Sequence, residues 1–389
     1  MPSPEETYDR LAAAATGESD DGAIRVRATY EPGAGAGAKV SPPTYLIEDR
    51  DSPYLIEERW GADGEPHKVV LLDSRQAQAN RCEEAFQVAI DAGQLRLPHI
   101  VLEVQTHGRP VPLTSLTVPH RSRDAYFRDA EDQAGVPFDQ TDPGRALAEV
   151  TAADATGMYS YSPADLVYGV WDSHRDLRLA TRFPRVYTSE LIGWDALVGL
   201  RAAGRFDLVT SGGAKVAGGN HDWQRNPKGS SQLSELGLGA IPPTTRDRRN
   251  NAKPGGTTVK MIERTATVSF PGLARIRVGN NADAARAARA VLAALALLGD
   301  RLAFSGAVFI RSGCDLVLAD ESLTWVGRMG ATEALDLDPE GARQLFDLAV
   351  ARAEAAGVTW VLEPVRLRPQ AKLQQVIDEA YLSAPAEDE

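Results

Sequence analysis

Residues 208–264 limit what this chain can fold into. They hold nine glycines, the prolines Pro227, Pro242, Pro243 and Pro254, and few apolar residues. Ordering such a segment costs more conformational entropy than its burial returns, so it builds no core of its own. A loop this long inside a compact fold is either functional or disordered. The packed part must therefore form from the residues on both sides.

Those flanks carry regular patterns. Residues 4–15 read as a short helix. Ile24, Val26 and Ala28 alternate with Arg25, Arg27 and Thr29, which predicts a half-buried strand. Gly33–Lys39 reads as a flexible loop. It opens no phosphate-binding helix, because Pro42 and Pro43 follow and no Gly-Lys-Ser/Thr appears. Val69–Leu72 reads as a buried strand. A helix follows from Asp73 or Ser74, with Asp73 and Gln76 at capping-box spacing, an apolar face of Cys82, Ala85, Phe86 and Ala89, and a stop at Gly93. Ile100–Val104 is the next strand, and residues 163–200 read as mixed helix and loop.

Beyond the Gly-rich segment, Thr265–Val278 reads as strand broken at Pro271 and Gly272. Asn281 caps a helix with the stripe Ala284, Ala287, Ala288, Val291, Leu292 and Leu295, and Gly299 is placed after its end. Ala307–Ile310 and Leu316–Leu318 flank the hairpin signal Ser312-Gly313. Asp338 and Pro339 open a helix with the stripe Ala342, Leu345, Phe346, Ala349 and Val350, ended by Gly357. Thr359–Leu362 is the last predicted strand. A strand–helix–strand unit near each end, around a long insertion, points to an α+β fold with a split ferredoxin-like sheet.

Charge is distributed unevenly. The chain has 42 Lys+Arg against 54 Asp+Glu, a formal net of −12. Residues 1–21 carry −5, and Glu387, Asp388 and Glu389 add −3. Residues 208–264 carry +5 and hold four of the seven lysines. The acidic total argues against a polyanionic partner, whereas the local positive charge argues for one. Cys82 and Cys314 are far apart and read as small core residues. The six histidines (His67, His99, His107, His120, His174 and His221) show no metal-binding spacing, and no catalytic triad is readable. No catalytic residue, metal or cofactor is expected. The acidic N-terminus lacks the apolar stretch of a signal peptide, and no run reaches the roughly 20 apolar residues that span a bilayer. A cytoplasmic protein without membrane contact is expected.

Four polar clusters remain. In residues 73–81, at a helix start, Arg75 and Arg81 suit phosphate, and Gln78 and Asn80 suit sugars. The alternative is a capped helix with a solvated face. In residues 119–128, His120, Arg121 and Arg123 are interleaved with Tyr126 and Phe127, which could stack on bases. Asp124 and Asp129 could equally pair with those arginines. The third cluster runs from Trp171 through Arg182 and Arg185 to Ser189. The fourth is the set Lys215, Arg225, Lys228, Arg246, Arg248, Arg249, Lys253 and Lys260 of the Gly-rich segment. Isolated cations there would bind phosphate without reading bases; the alternative is a solvated linker.

Several strings, in order, carry a family resemblance. They are Leu71–Glu84 (LLDSRQAQANRCEE), Leu113–Ala125 (LTSLTVPHRSRDA), Gly169–Ser173 (GVWDS), Arg185 with Ser189-Glu190, Glu235–Pro243 (ELGLGAIPP), Leu292–Leu298 and Ile310–Leu316 (IRSGCDL). Together, over roughly residues 23–320, they resemble the backbone subunit of a type I-G (formerly I-U) CRISPR surveillance complex, or Cascade, a member of the RAMP superfamily. The resemblance implies an RRM-like palm with inserted finger and thumb elements. Applied here, it divides the chain into an acidic segment (1–22), a first palm part (23–130), a finger or helical insertion (131–207), a thumb-like insertion (208–264), a second palm part with C-terminal helices (265–383) and an acidic tail (384–389). It implies copies that polymerise along CRISPR RNA beside other Cascade subunits and present bases for pairing with target DNA. It implies no nuclease activity, and Asp73 is explained as a helix cap. Two alternatives stay open: a RAMP-type endoribonuclease using His120 or His174, and an enzyme or assembly protein without a nucleic-acid partner.

Overall fold

The computed structural model describes residues 3–45, 52–106, 109–171, 182–202, 204, 215–216, 231–232, 244–246, 251–279 and 281–382. An eight-stranded antiparallel sheet forms its centre. The strands are β1 (Ala23–Pro32), β2 (Ile56–Trp60), β3 (Pro66–Asp73), β6 (Tyr187–Trp194), β7 (Met261–Ser269), β8 (Val308–Arg311), β9 (Cys314–Val326) and β10 (Thr332–Ala334). They lie in the order β8-β9-β1-β7-β6-β3-β2, with β10 paired to β9. A smaller sheet joins β4 (Ile100–Thr106) and β5 (Arg109–Thr114) to β11 (Val365–Pro369) and the short strand Ala130–Glu131.

The strand order shows the expected α+β ferredoxin-like arrangement. Taken as β1, β6, β7 and β9 in chain order, the central strands stand fourth, first, third, second across the sheet. β1 is antiparallel to both β7 and β9, so those two run in one direction with β1 between them. The helix α4 (Ala282–Phe304) connects them. This is a split strand–helix–strand unit. Its N-terminal counterpart differs from expectation. The helix α2 (Arg75–Asp91) leaves β3 in the large sheet, but β4 joins the smaller one. The missing central strand is β6, inside the stretch read as helix and loop.

One face of the large sheet is covered. Ile24, Val26, Ala28 and Tyr30 of β1 are buried beneath the helices, while Arg25 and Arg27 face away and are exposed. α1 (Pro4–Thr16), α2, α3 (Pro163–Tyr168) and α5 (Pro339–Ala355) all pack on α4. This explains why every residue of α4 from Ala290 to Arg301 is buried. Asn281 caps it as predicted, its Oδ1 accepting the Ala284 N–H at 2.8 Å. Gly299 does not end it, because the helix runs on to Phe304. The glycine is there for close packing: a Cβ would collide with Tyr168 Oη and lie 2.8 Å from Phe86 Cζ. Cys82 and Cys314 are buried, unpaired core residues.

Other expectations shift. β7 starts at Met261, so the last residues of the Gly-rich segment belong to the sheet. It ends at Ser269, whose Oγ caps a short helix, Phe270–Ala274, at the Pro271-Gly272 break. Thr359–Leu362 is not a strand; the last strand is β11. Asp338 caps α5 as expected. Asp73 caps nothing. Ser74 Oγ accepts the Ala77 N–H at 3.2 Å, and Asp73 is fully buried at the end of β3. No described helix is long and apolar enough to cross a membrane.

A buried ionic network joins these elements. Arg264 of β7 is 1% exposed and donates to Asp300 of α4 at 2.7 Å. Tyr187 Oη donates to the same carboxylate at 2.7 Å. Arg301 bonds Asp300 and reaches Glu321 of β9. Asp300→Ala leaves Arg264 buried without its main partner. The expected loss is about 3–5 kcal/mol of unfolding free energy in urea, and a loss below about 1 kcal/mol would mean that the network is not structural.

A pH-sensitive tie holds the β2–β3 turn. His67 Nδ1 lies 2.7 Å from Asp195, and Nε2 lies 3.0 Å from Asp63. The hydrogen bonds to Asp195 and then Asp63 raise the imidazole pKa above its ordinary 6.5. An unfolded histidine titrates near 6.5. The tie is thus complete below that pH and is lost as pH rises through the raised folded value. Hydrogen exchange in residues 61–65, corrected for its intrinsic rate, should quicken as pH rises through this window. His67→Gln should remove the pH dependence, and an identical profile in the variant would contradict the tie.

Candidate functional site

Three of the polar clusters meet in space. A cleft of about 610 Å³ is lined by Arg75, His120, Arg121, Trp171, Arg182 and Arg185, with Thr188 among its other residues. Arg75 is the first residue of α2, placed there by the Ser74 cap. Its side chain is 62% exposed and has one carboxylate, Glu190, at 3.8 Å. Glu190 is itself held by Arg59 at 2.5 Å. His120 stands exposed, and its backbone N–H is fixed by Asp124 at 3.2 Å.

Arg121 is built in differently. It sits at φ 52°, a left-handed conformation that costs a non-glycine residue on the order of 1–3 kcal/mol. Its Nε and Nη2 donate to both oxygens of buried Glu83 at 2.6 and 2.7 Å, and its Nη1 donates to Gly169 O at 3.0 Å. Burial pushes the Glu83 carboxyl up to about 7 against the pull of Arg121. Arg121 is therefore a wall of the cleft, not a free cation.

Among the described residues, Arg182 and Arg185 are the free ones. Val170–Trp171 and Arg182–Phe183 pair antiparallel, which sets the Arg182 guanidinium 5.7 Å from the Trp171 ring centre. Gly169, at φ 84°, lets Arg185 pass; a Cβ there would lie 2.9 Å from Arg185 Cγ. Arg185 is half-buried, and its Nε is buried without a hydrogen-bond partner. Burial, then the charge of Arg121, lowers its pKa, with Arg75 adding to this and Glu83 opposing it. No described carboxylate forms an ion pair with Arg182 or Arg185. An anion in the cleft would relieve this unfavourable clustering of positive charge. Guanidinium groups match the oxygens of phosphate in planar, two-point geometry.

Most other candidates from the same clusters are buried or already bonded within the molecule. Gln78 is fully buried; its Nε2 donates to Asp73 at 2.7 Å and its Oε1 accepts from Ser189 at 2.8 Å. Ser189 is likewise buried. Arg81 is spent on Asp73 at 2.7 Å and on Ile310 O at 2.8 Å. Arg123 donates to Leu147 O at 2.7 Å. Phe127 is a core residue and Tyr126 packs half-buried against the core, so the expected base-stacking pair is absent. Asn80 is exposed on α2 but does not line the cleft.

Part of the Gly-rich set can be placed. Arg246 is exposed and bridges to Ala252, Lys253 Nζ bonds Thr244 Oγ1 at 2.7 Å, and Lys260 is 79% exposed with Asp195 at 3.8 Å. Lys215 is described only as backbone, pairing with Gln232. Arg225, Lys228, Arg248 and Arg249 lie outside the described residues, as does His174. Sequence reasoning missed the roles of Glu83, Gly169 and Thr188. Glu83 and Gly169 carried a signal, as members of the LLDSRQAQANRCEE and GVWDS strings, and Thr188 carried none. Among the described residues no group of His, Cys, Asp and Glu could hold a metal ion.

No curated protein matches the chain. Residues 24–198 match the family model described as CRISPR-associated protein GSU0053 (Cas_GSU0053). That span holds β1 from its second residue, β2 to β6, and every residue named as lining the cleft. Over this span, just under half of the chain, the part whose separate arginines converge in one cleft is similar to a family of CRISPR-associated proteins.

Proposed function

We propose that this chain is a non-catalytic backbone subunit of a type I-G Cascade, holding CRISPR RNA by its sugar-phosphate backbone. The observation that carries this is the meeting of Arg75, Arg182 and Arg185 in one cleft where two of the three have no carboxylate partner among the described residues. A guide-binding scaffold must accept any spacer. It needs contacts to phosphate and ribose that leave the base edges free for target DNA. Guanidinium groups beside one exposed tryptophan fit that need better than an array of amide readers would. The family match supports a role in CRISPR defence. Effector-complex partners, with further copies of the chain and other Cascade subunits among them, belong to the same proposal. A cytoplasmic site belongs to the same proposal.

The test is binding of a mixed-sequence single-stranded RNA across a salt series. The double variant Arg182→Gln with Arg185→Gln should bind at least tenfold more weakly at low salt. Its log–log salt slope should be shallower by about 1.4, since each phosphate contact to a single strand contributes about 0.7. Unchanged affinity and slope would remove the cleft from RNA binding, and a strong preference for one RNA sequence would contradict a scaffold. His120 borders the cleft, so cleavage is measured alongside. Discrete RNA cleavage by the wild type, lost in His120→Ala, would replace the scaffold reading with the endoribonuclease one.

A further inference from the structure

The face of the large sheet opposite the helices is not uniform. Reading across the strands, Thr188 of β6 stands opposite Thr267 of β7, Thr267 opposite Arg25 of β1, and Arg25 opposite Thr324 of β9. This row crosses four strands, about 14 Å at the usual strand spacing of about 4.8 Å. Thr188 also lines the basic cleft, so the row begins where the cleft ends. It presents three hydroxyls and one guanidinium. Arg25 is exposed, and no described carboxylate pairs with it.

The next row differs in charge. Glu190, Thr265, Arg27 and Ser322 stand opposite one another in the same way. Here the charges are matched. Arg27 donates to Glu263 at 2.5 and 3.1 Å, and Glu190 is taken by Arg59 at 2.5 Å. Glu263 also accepts from Trp194 Nε1 at 2.9 Å. Of the two rows, only the one continuous with the cleft keeps an unbalanced positive charge.

We infer that this row extends the cleft into a track for the sugar-phosphate backbone of one single-stranded nucleic acid. The inference rests on the RNA reading of the cleft and adds the direction in which the strand leaves it. Three observations favour this occupant over a protein. The row is continuous with the cationic cleft, its one charge is unpaired, and it holds no large apolar side chain to anchor a protein partner. Hydroxyl donors and a guanidinium bond phosphate and ribose oxygens without reading base identity. The absence of an aromatic ring from the row leaves the bases unstacked by the sheet.

The experiment measures fluorescence anisotropy of labelled oligouridylates of three and twelve nucleotides, at low salt, with the full chain. Wild type should bind the longer one more tightly. Arg25→Gln should weaken the twelve-mer about five- to tenfold and leave the three-mer within twofold. Arg25→Lys should restore most of the loss. Arg27→Gln, whose charge is already matched, should change neither by more than twofold, and the Arg182→Gln/Arg185→Gln variant should weaken both lengths. Arg25 is exposed, so its variants should melt like the wild type. Unchanged twelve-mer affinity in Arg25→Gln, with both lengths still lost in the cleft variant, would overturn the track and leave the cleft reading standing. No binding of either length by wild type would overturn both. A change in sedimentation of the RNA-free Arg25→Gln chain, with RNA affinity intact, would make the face a protein contact and overturn the track.

Discussion

The pairing of Arg264 with Asp300 is the interaction around which the rest is arranged. Both side chains are 1% exposed, deep between the large sheet and α4. Taking two charges out of water costs several kcal/mol per ion, which the mutual attraction offsets only with good geometry and further bonds. Those bonds are present. Burial alone would raise the Asp300 carboxyl, but Arg264 and Arg301 outweigh it and hold the group below the ordinary carboxylate range. The Arg264 guanidinium also lies 4.3 Å from the Phe304 ring centre. Such a pair contributes less to net stability than its attraction suggests. Its stronger effect is on register, because a slip of β7 by one residue would turn Arg264 to the open face and leave Asp300 buried without its main partner.

From this pair a polar chain runs toward the candidate site. Arg264 reaches Ser189 at 3.3 Å, Ser189 donates to Gln78, Gln78 donates to Asp73, and Asp73 holds Arg81 and Arg311. Arg311 also donates to Leu72 O at 2.7 Å. The chain therefore locks β7, β6, α2, β3 and the β8–β9 hairpin together beneath the sheet. It fixes where α2 starts, and so where Arg75 points. A second tie, Arg121 to Glu83, fixes the neighbouring wall. The arginines fall into two kinds. Arg81, Arg121, Arg264, Arg301 and Arg311 are spent inside, whereas Arg25, Arg182 and Arg185 have no carboxylate partner among the described residues and define where a polyanion would gain most.

How far the sequence could show this depends on which residue carries which task. The capped helices were legible because Asn281 and Asp338 meet local backbone donors, and locality is what a sequence displays. β1 was legible because its buried face is apolar and its open face is not. β6 was not, because its covered face carries Ser189 and Gly193 while its open face carries Ile192 and Trp194. Ser189 is there for the polar chain. Gly193 is there because Val259 and Val70 fill the space of its side chain. Alternation fails wherever burial is polar. The same reason hid Arg264, counted with the basic segment when read as sequence, and Gln78, which looked like a surface sugar contact. Gly299 misled in the opposite sense, since a glycine needed for close helix packing reads in sequence as a helix end.

The site itself was legible only in parts, for a related reason. Arg75, Arg121 and Arg182 are far apart in the chain, and each has an ordinary explanation as a surface or paired arginine. What distinguishes them is the presence or absence of a counter-ion, a property of three-dimensional neighbours. The same holds for the net charge of −12, which sums paired and unpaired groups alike. Screening in physiological salt reaches about 8 Å, so a phosphate in the cleft responds to the guanidinium groups lining it far more than to acids elsewhere. An acidic chain with a few well-placed unpaired arginines can therefore hold a polyanion locally while its total charge opposes non-specific binding. That combination suits the proposed grip, which would have to form along one strand and nowhere else.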